Sequence, residues 1–187
     1  MIKNFFIFVF DFIKVVLISL AIIIPIRYFL IQPFYVRGAS MEPNFYDSEY
    51  LIIDEISYRF HEPKRGDIIV FKYPRNPQEY FIKRVVGLPN EKIQVKDGEI
   101  HIFNKEHPLG IKIDEPYLAN GVKTNGTDDD IISLSNDEYY VFGDNRNFSK
   151  DSRSFGPVNK SFVVGRVLLR GWPFDRVNLF STQQYGY

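Results

Sequence analysis

The feature that most constrains this chain is an apolar segment near its N-terminus. Residues 5–30 are overwhelmingly apolar, and this length is enough for a helix of roughly 20 residues to cross a bilayer. Asp11, Lys14 and Arg27 interrupt the segment. Asp11 and Lys14 are three residues apart, so on a helix they share a face and can pair. We therefore predict a membrane anchor over residues 1–31.

Two other interpretations of the apolar segment stay open from the sequence. One is a cleaved signal sequence, because the apolar run between Lys14 and Arg27 is short enough to be its central apolar region, although no small-x-small cleavage site follows. An amphipathic helix lying in the membrane interface is the other alternative. The orientation is undecided by the positive-inside rule, because Lys3 and Lys14 precede the apolar centre and Arg27 and Arg37 follow it.

The composition narrows the function classes. The formal net charge of the 187 residues is zero. Because phosphate binding needs a basic footprint, this balance does not indicate a dominant electrostatic role with nucleic acid, and we predict no nucleic-acid partner. The absence of cysteine excludes disulfides, thiol nucleophiles and cysteine-based zinc sites. The chain has only three histidines, His61, His101 and His107, which leaves few candidates for a serine–histidine mechanism. They are also a weak signal for a metal site, because no nearby residues complete a set of metal ligands.

The remainder of the chain, residues 32–187, has the pattern of a mainly β body. Short runs rich in β-branched and aromatic residues alternate with turn residues. Residues of about 96–136 are rich in polar loops, and we predict that they form an insertion or cap on the core sheet. The predicted strands are residues 50–54, 67–73, 80–88, 92–95, 99–103, 139–143 and 166–172.

The clearest local prediction is a β-hairpin in the sequence IQVKDGEIHI. Asp97-Gly98 is a strong signal for a two-residue turn. This turn places Val95 opposite Ile100 and Ile93 opposite Ile102, which gives the hairpin one apolar face. The same register places Lys96 opposite Glu99 on the other face, as an opposite-charge pair.

Lys83 lies within the apolar run YFIKRVVGL. On a strand, Lys83 and the adjacent Arg84 point to opposite faces. One interpretation is an edge strand with both charged groups in water. The other is a lysine enclosed by apolar side chains and kept neutral, which could act as a general base. A free lysine with a pKa near 10.4 is neutral in only about one molecule in 2,500 at pH 7, but burial can lower that pKa by up to about 3–5 units.

Polar groups concentrate in the segment GDNRNFSKDSRSFGP, residues 143–157. A surface loop with Asx turns would account for this composition, but loops at strand ends are also common places for functional residues. Asp151 and Arg153 can pair and fix the loop, which leaves Ser149 or Ser152 to orient another group.

Ser40 lies in the stretch RGASMEPNF, just after the apolar segment. Its local sequence allows two interpretations, a nucleophile or an ordinary turn serine.

Four segments follow the apolar stretch in order: SMEP beginning at Ser40, GDIIVF at 66–71, KRVVGLP beginning at Lys83, and GDNRNFSKDSR at 143–153. Together they resemble the bacterial type I signal peptidases, or leader peptidases, which are membrane-anchored Ser/Lys endopeptidases. The matches extend from residue 40 to about 158, which is nearly the whole chain outside the apolar segment. The last block is highly specific, whereas S-M-x-P alone would be a weak signal.

The resemblance implies a role for each matched residue. Ser40 would be the nucleophile and Lys83 the general base. Ser149 would orient Lys83 by a hydrogen bond, and Asp151 with Arg153 would brace the loop as a salt bridge. The backbone N–H of Ser40 would be one donor of the oxyanion hole. Neither a cofactor nor a metal ion is implied.

Two positions depart from the family pattern. The second oxyanion donor of the family is often a serine hydroxyl two residues before the nucleophile, and that position is Gly38 here. The second donor is therefore unknown, with a backbone group or a water as candidates. The family's usual Gly-Asp after Leu-Pro is replaced by Asn90 and Glu91. Because asparagine tolerates positive φ, the turn can be retained.

The resemblance also implies a fold, a substrate and a location. The fold would be a signal-peptidase-like β body with an inserted β/loop cap, preceded by one N-terminal transmembrane helix. Signal peptides of secretory preproteins would bind as an added strand and be cut after a small-x-small motif. The helix would cross the bacterial plasma membrane once, with the catalytic domain on the extracytoplasmic side. Side chains on either side of the nucleophile would contact membrane lipid: Phe34, Tyr35, Val36, Phe45 and Tyr46.

Three other functions are alternatives. A catalytically inactive, membrane-anchored paralogue could act as a binding module, although both candidate catalytic residues are present. A self-cleaving transcription regulator with the same Ser/Lys core would carry a DNA-binding module where this chain has its apolar segment. A serine–histidine protease would lose its activity when the three histidines are replaced. The sequence does not indicate an oligomeric state.

Overall fold

The computed structural model describes residues 2–29, 31–126, 130–182 and 185. Helix α1 (Ile2–Phe29) comes first and leads into strand β1 (Ile31–Tyr35). Within α1, the stretch Phe5–Ile24 has a mean hydropathy of 2.7, and none of it is buried against the rest of the protein. By length and composition this helix can cross a membrane, and it is the one such helix among the described residues.

The rest of the described chain is built from two antiparallel sheets, which confirms the prediction of a mainly β fold. The larger sheet contains β1, β2 (Tyr50–Asp54), β3 (Ile68–Tyr73), β4 (Asn76–Gly87), β9 (Glu138–Phe142), β10 (Val158–Asn159), β11 (Val163–Trp172) and β12 (Asn178–Leu179). Its strand order is β1-β2-β11-β3-β4-β9-β10, and β12 pairs with β11. Short helices α2 (Ser57–Phe60) and α3 (Ser152–Phe155) lie at its margins, as do two 3₁₀ turns, Lys160–Phe162 and Phe174–Arg176.

The smaller sheet contains β5 (Lys92–Lys96), β6 (Glu99–Phe103), β7 (Ile111–Lys112) and β8 (Ile132–Ser133), in the order β7-β6-β5-β8. Three of its four strands, β6, β7 and β8, lie within the segment of about residues 96–136 for which a cap is predicted, whereas β5 begins before it. The domain boundaries themselves stay a prediction. Strands β5 and β6 form the predicted hairpin, with Val95 opposite Ile100 and Ile93 opposite Ile102. All four of these side chains are buried, so the apolar face and its register are confirmed.

The turns next to the hairpin follow from their residues. Asp97 and Gly98 both have positive φ, as a type I′ turn requires. Asn90 has a φ of 64°, so asparagine does adopt the left-handed conformation at the position where it replaces glycine. The predicted charge pair differs in detail, because Glu99 forms its salt bridge with Lys112 on β7 although Lys96 lies opposite it.

Strand β4 is an interior strand of the larger sheet. It pairs with β3 along most of its length and with β9 through Arg84, Val85 and Gly87. Lys83 and Arg84 are only 3% and 5% exposed. The interpretation of an edge strand with both charged groups in water is therefore wrong. Pattern alone did not exclude it, because the strands that cover β4 come from distant parts of the sequence.

The larger sheet curls so that its first strand approaches β4. The rings of Phe34 on β1 and Tyr80 on β4 lie 5.5 Å apart, although three strands separate β1 from β4 in the sheet order. Strand β1 was not predicted, since its residues continue the apolar segment without a break in composition. The curl leaves a cleft between the two strands, and both candidate catalytic residues lie at this cleft.

Candidate active site

Ser40 lies in the turn that connects β1 to β2. Gly38 has a φ of 86°, a conformation that glycine adopts without strain. The Gly38 N–H donates to Asp47 Oδ1 at 2.7 Å, so the start of the turn is bonded to its end. Met41 and Phe45 are completely buried and hold the turn against the core. The sequence thus places a small, rigid turn between two strands and leaves the serine at the cleft.

Lys83 reaches Ser40 from β4. Its Nζ lies 2.7 Å from Ser40 Oγ and 2.7 Å from the carbonyl oxygen of Ile82. The Phe81 ring is also near, with its centroid 5.3 Å from Nζ. The two residues are separated by 43 positions in the sequence, and the curl of the sheet brings them into hydrogen-bonding distance.

Burial sets the protonation of Lys83. Desolvation lowers the pKa of Lys83 from its ordinary value of 10.5 to about 8, while the carboxylates of Asp151 and Asp144 act in the opposite direction. A lysine with this pKa is neutral in about one molecule in ten at pH 7, compared with about one in 2,500 for a free lysine. The site therefore provides a nucleophilic hydroxyl in direct contact with an amine that can accept its proton near neutral pH.

The loop of residues 143–153 packs directly against the Ser40 turn. The Asn145 backbone N–H donates to the carbonyl of Ser40 at 3.1 Å, and its side-chain amide donates to the carbonyl of Ala39 at 3.0 Å. A Cβ on Gly143 would overlap with Ser149 Oγ and with the carbonyl oxygen of Ser40. Glycine is therefore required at residue 143 by close approach, which explains the first letter of the GDNR motif.

Asp151 and Arg153 form a bidentate ion pair in this loop. Arg153 Nη2 lies 2.7 Å from Asp151 Oδ2, and Arg153 Nε lies 2.8 Å from Oδ1. The Gly143 N–H also donates to Asp151 Oδ2 at 3.0 Å. Burial alone would raise the pKa of Asp151, but the hydrogen bonds and charge of Arg153 lower it, so this carboxyl stays ionised. The pair ties residues 151–153 to the start of the same loop.

The Oγ of Ser149 is buried next to Gly143, although the residue as a whole is half-buried, and it forms no hydrogen bond with Lys83 of the kind that the resemblance implies. Its Oγ is close enough to Asp151 to contribute to the lowered pKa of that carboxyl. It has no partner in hydrogen-bonding geometry. The hydrogen bonds of Lys83 go to Ser40 and Ile82, and the orienting role of Ser149 stays a prediction.

A second buried ion pair lies behind Lys83, and the sequence did not point to it. Arg84 Nε and Nη2 donate to the two carboxylate oxygens of Asp144 at 2.8 and 2.7 Å. Both side chains are almost completely buried. Arg146, from the same loop, pairs with Glu115 of the cap. No sequence signal could have found these pairs, because the partners are 60 and 31 residues apart.

The cleft beside Ser40 and Lys83 has a volume of about 730 Å³. Residues 34–40 form one wall and residues 78–83 form the other. Strand β1 is an edge strand of the larger sheet, and residues 80–82 pair with β3 alone. Within the described residues, both walls therefore have strand edges without a partner, and such edges can bind an extended peptide.

The oxyanion hole is only partly defined. Gly38 has no side chain to donate, and its N–H is already bonded to Asp47. The second donor stays unidentified, and the role of the Ser40 N–H stays a prediction. The histidines lie elsewhere: His61 follows α2, His101 lies on β6, and His107 lies in the loop after β6, and none of the described residues that line the cleft is a histidine.

Comparison with known proteins identifies the family. The family model described as "Signal peptidase, peptidase S26" matches residues 9–172. The chain belongs to this signal peptidase family. The family resemblance inferred from the four sequence segments is thereby confirmed, and the serine-peptidase chemistry of the family agrees with a serine at the centre of the site.

Individual members of the signal peptidase family match most of the chain. The probable signal peptidase I-2 of Synechocystis is 34% identical over 173 residues, which cover 90% of this chain and 75% of that protein. The signal peptidase I of Leptolyngbya laminosa is 36% identical, with 88% and 80% covered. The signal peptidase I P of Bacillus subtilis subsp. natto is 34% identical, with 89% and 91% covered. A crystal structure of a signal peptidase I from Enterococcus faecalis is 32% identical, with 57% of this chain and 97% of that chain covered and a TM-score of 0.46.

Proposed function

We propose that this chain is a membrane-bound serine endopeptidase that cleaves N-terminal signal peptides from secreted preproteins. Ser40 is the nucleophile and Lys83 the general base. The observation that carries the proposal is the 2.7 Å contact between the Ser40 hydroxyl and a buried lysine amine whose pKa is lowered to about 8. The substrate class rests on the signal peptidases I to which the chain is similar.

The substrate binds as an extended strand between residues 34–40 and residues 78–83. Alternate side chains of an extended peptide point to the same side, so residues one and three before the scissile bond face the same wall of the cleft. This geometry supports the small-x-small preference, because two positions of the same parity meet one surface. Backbone hydrogen bonds to the free strand edges supply affinity that does not depend on sequence.

Proton transfers follow from the contact between the two catalytic groups. Neutral Lys83 accepts the proton of Ser40 as Oγ attacks the scissile carbonyl carbon, and the Ser40 N–H stabilises the developing oxyanion. The Lys83 ammonium then protonates the departing amine of the mature protein, which leaves an acyl ester on Ser40. A water, deprotonated by Lys83, hydrolyses the ester, and the proton returns to Ser40. Asp151 and Arg153 brace the loop that supports the turn.

The proposal is tested by incubating the purified full-length chain in detergent with a reporter preprotein carrying a small-x-small site. We expect one cut, and N-terminal sequencing of the product should place it directly after the second small residue. Wild-type protein that is folded but gives no product would instead support the inactive, peptide-binding paralogue. Activity that survives replacement of His61, His101 and His107 together excludes the serine–histidine alternative.

The pH profile of cleavage is expected to report the pKa of Lys83. Because only the neutral amine accepts a proton, kcat/KM should rise with pH and level off above a midpoint near 8, well below the 10.5 of an ordinary lysine. The measurement is kcat/KM for a peptide substrate across this range in detergent. A midpoint below 7 would point to a histidine as the base.

The same lowered pKa gives a readout that is independent of catalysis. Between about pH 8 and 10.5 the unfolded chain binds a proton at Lys83 that the native chain does not, so the free energy of unfolding is expected to rise with pH. The slope should be smaller in Lys83→Met, which removes the titrating group. Identical slopes in both proteins would mean that the native lysine titrates normally.

Membrane contact is proposed for α1 and for one edge of the body. Val36 and Phe45, which the sequence suggested as lipid contacts, are buried in the core and cannot serve. Tyr35, Tyr50 and Trp172 instead lie side by side at the same end of three neighbouring strands and are all exposed. We call these residues, together with the exposed Phe174 that packs on Trp172, the aromatic edge. Such side chains prefer the interface between lipid and water.

Trp172 makes this proposal directly measurable, because it is the one tryptophan of the sequence. In vesicles containing brominated lipid, Trp172 fluorescence of the reconstituted full-length protein is expected to be quenched. Vesicles of the same lipids without bromine are the control. Unquenched emission at equal reconstitution would mean that the aromatic edge faces water, and the lipid contact would then be confined to α1.

A further inference from the structure

We propose that Asn44 is a positioning residue that fixes the Ser40 hydroxyl at its working distance from the Lys83 amine. The inference rests on the proposed function, since it concerns the geometry of the same catalytic pair. Asn44 itself is outside the cleft wall and has no group that takes part in the reaction. Its importance follows from the three parts of the fold that it joins.

Asn44 is bonded to three separate segments. Its side-chain Nδ2 donates to Asp144 Oδ2 at 2.8 Å and to the carbonyl of Tyr117 in the cap at 2.9 Å. Its backbone carbonyl accepts a hydrogen bond from Arg170 Nη1 on β11 at 2.8 Å. Asn44 therefore connects the turn that contains Ser40 to the loop of residues 143–153, to the cap and to the larger sheet.

Asp144 is shared between the nucleophile turn and the strand of the base. Its Oδ2 accepts from Asn44 Nδ2 and also from Arg84 Nη2, and its Oδ1 accepts from Arg84 Nε. Arg84 directly follows Lys83 on β4. One buried carboxylate thus connects a residue four positions after Ser40 to the residue next to Lys83. Water competes little for these bonds, because Asp144 is 3% exposed.

The other polar contacts that hold the turn, among the described residues, do not reach β4. Asn145 binds the carbonyls of Ser40 and Ala39, which fixes the turn to the loop of residues 143–153. Gly38 binds Asp47 within the turn. Among the described residues, two polar connections link the turn to β4. One is the contact between Ser40 and Lys83, and the other runs through Asn44, Asp144 and Arg84.

A specific kinetic signature follows from this arrangement. The walls of the cleft, residues 34–40 and 78–83, do not include Asn44, so substrate binding and KM should change little when it is replaced. The Asn44 side chain is uncharged, so its loss leaves the charges around Lys83 in place and the midpoint of the pH profile should stay near that of the wild type. The turnover number alone should fall, because a misplacement of about 1 Å between reacting groups can cost about 10²-fold in rate.

The experiment compares Asn44→Ala with Asn104→Ala in the full-length protein. Asn104 is a matched control in the cap, since its Nδ2 donates to Glu91, a carboxylate that pairs with the buried Arg65. We expect Asn44→Ala to lower kcat by about 10–100-fold with KM and the pH midpoint unchanged. Asn104→Ala should lower the melting temperature to a similar extent and leave kcat at the wild-type level.

Asn44→Ser keeps one donor on a shorter side chain and should give a kcat between those of Asn44→Ala and wild type; it decides the question if Asn44→Ala does not fold. The inference is overturned if kcat of the folded variant stays within about twofold of wild type, well short of the loss that misplacement predicts. It is also overturned if kcat falls equally in Asn104→Ala, or if KM rises in place of the fall in kcat. Failure of the proposed function is a separate result, because the wild type itself would then give no cleavage.

Discussion

Ser40→Ala and Lys83→Met are each expected to abolish cleavage of a reporter preprotein while the protein stays folded. The alanine variant has no nucleophile, and the methionine variant keeps an apolar side chain of similar length in the buried position but cannot accept a proton. Loss of a positioned general base typically costs about 10²–10⁴-fold, and loss of a nucleophile costs more. Initial rates in detergent, measured over hours at high enzyme concentration, give the required range.

Matched variants separate this effect from general damage. Ser48→Ala alters an exposed serine of the same turn, and Lys72→Met alters an exposed lysine on the neighbouring strand β3. Both controls should keep wild-type rates. Lys83→Met should be as stable as the wild type or more stable near pH 7, because it removes a group whose burial in charged form is unfavourable. Full activity in either Ser40→Ala or Lys83→Met would refute the Ser/Lys assignment.

Gly143→Ala is expected to reduce activity by about 10²-fold or more, with a clear loss of stability. The added methyl group would overlap with the Ser40 carbonyl and the Ser149 side chain. The turn that contains Ser40 would have to move away from the loop of residues 143–153. Forcing atoms into a well-packed site typically costs about 1–3 kcal/mol, and displacement of the nucleophile by about 1 Å accounts for the loss of rate.

Gly171→Ala is the control for this substitution. Gly171 lies on β11 with no atom within 4 Å of the position that a Cβ would take, and its φ is not in the positive region. The Gly171→Ala variant should match the wild type in melting temperature and in its rate of cleavage of a soluble peptide. If Gly143→Ala also matches the wild type in melting temperature and rate, then the loop of residues 143–153 does not fix the position of Ser40.

Local chemistry was sufficient to predict parts of this fold. The Asp97-Gly98 turn and the alternation of Ile93, Val95 and their partners fix a hairpin from adjacent residues alone, and the structure has the same register. At Asn90, where the family pattern has glycine, the tolerance of asparagine for positive φ was enough to predict that the turn is retained, and its φ is 64°. In both cases the interactions that decide the conformation lie within a few residues of each other.

The environment of the candidate catalytic pair, Ser40 and Lys83, could not be derived in this way. Lys83 sits in an apolar run, but whether its amine is buried depends on parts of the chain that are distant in sequence, such as the turn that contains Ser40, 43 positions away. The Arg84–Asp144 pair and the Asn44–Asp144 hydrogen bond join residues 60 and 100 positions apart, and no spacing rule covers such contacts. The motif resemblance pointed to the candidate catalytic residues without the contacts that position them.

The direct succession of α1 and β1 has a consequence for enzyme kinetics. Ser40 follows the last residue of α1, Phe29, by 40 − 29 = 11 positions, and a fully extended chain of that length spans at most about 40 Å. With α1 in the bilayer, Ser40 is confined to a thin layer at the membrane surface, where a preprotein held by its own signal peptide is confined as well. Encounters then depend on surface density, so the rate at fixed protein and substrate should fall as more lipid or detergent dilutes both molecules over a larger area.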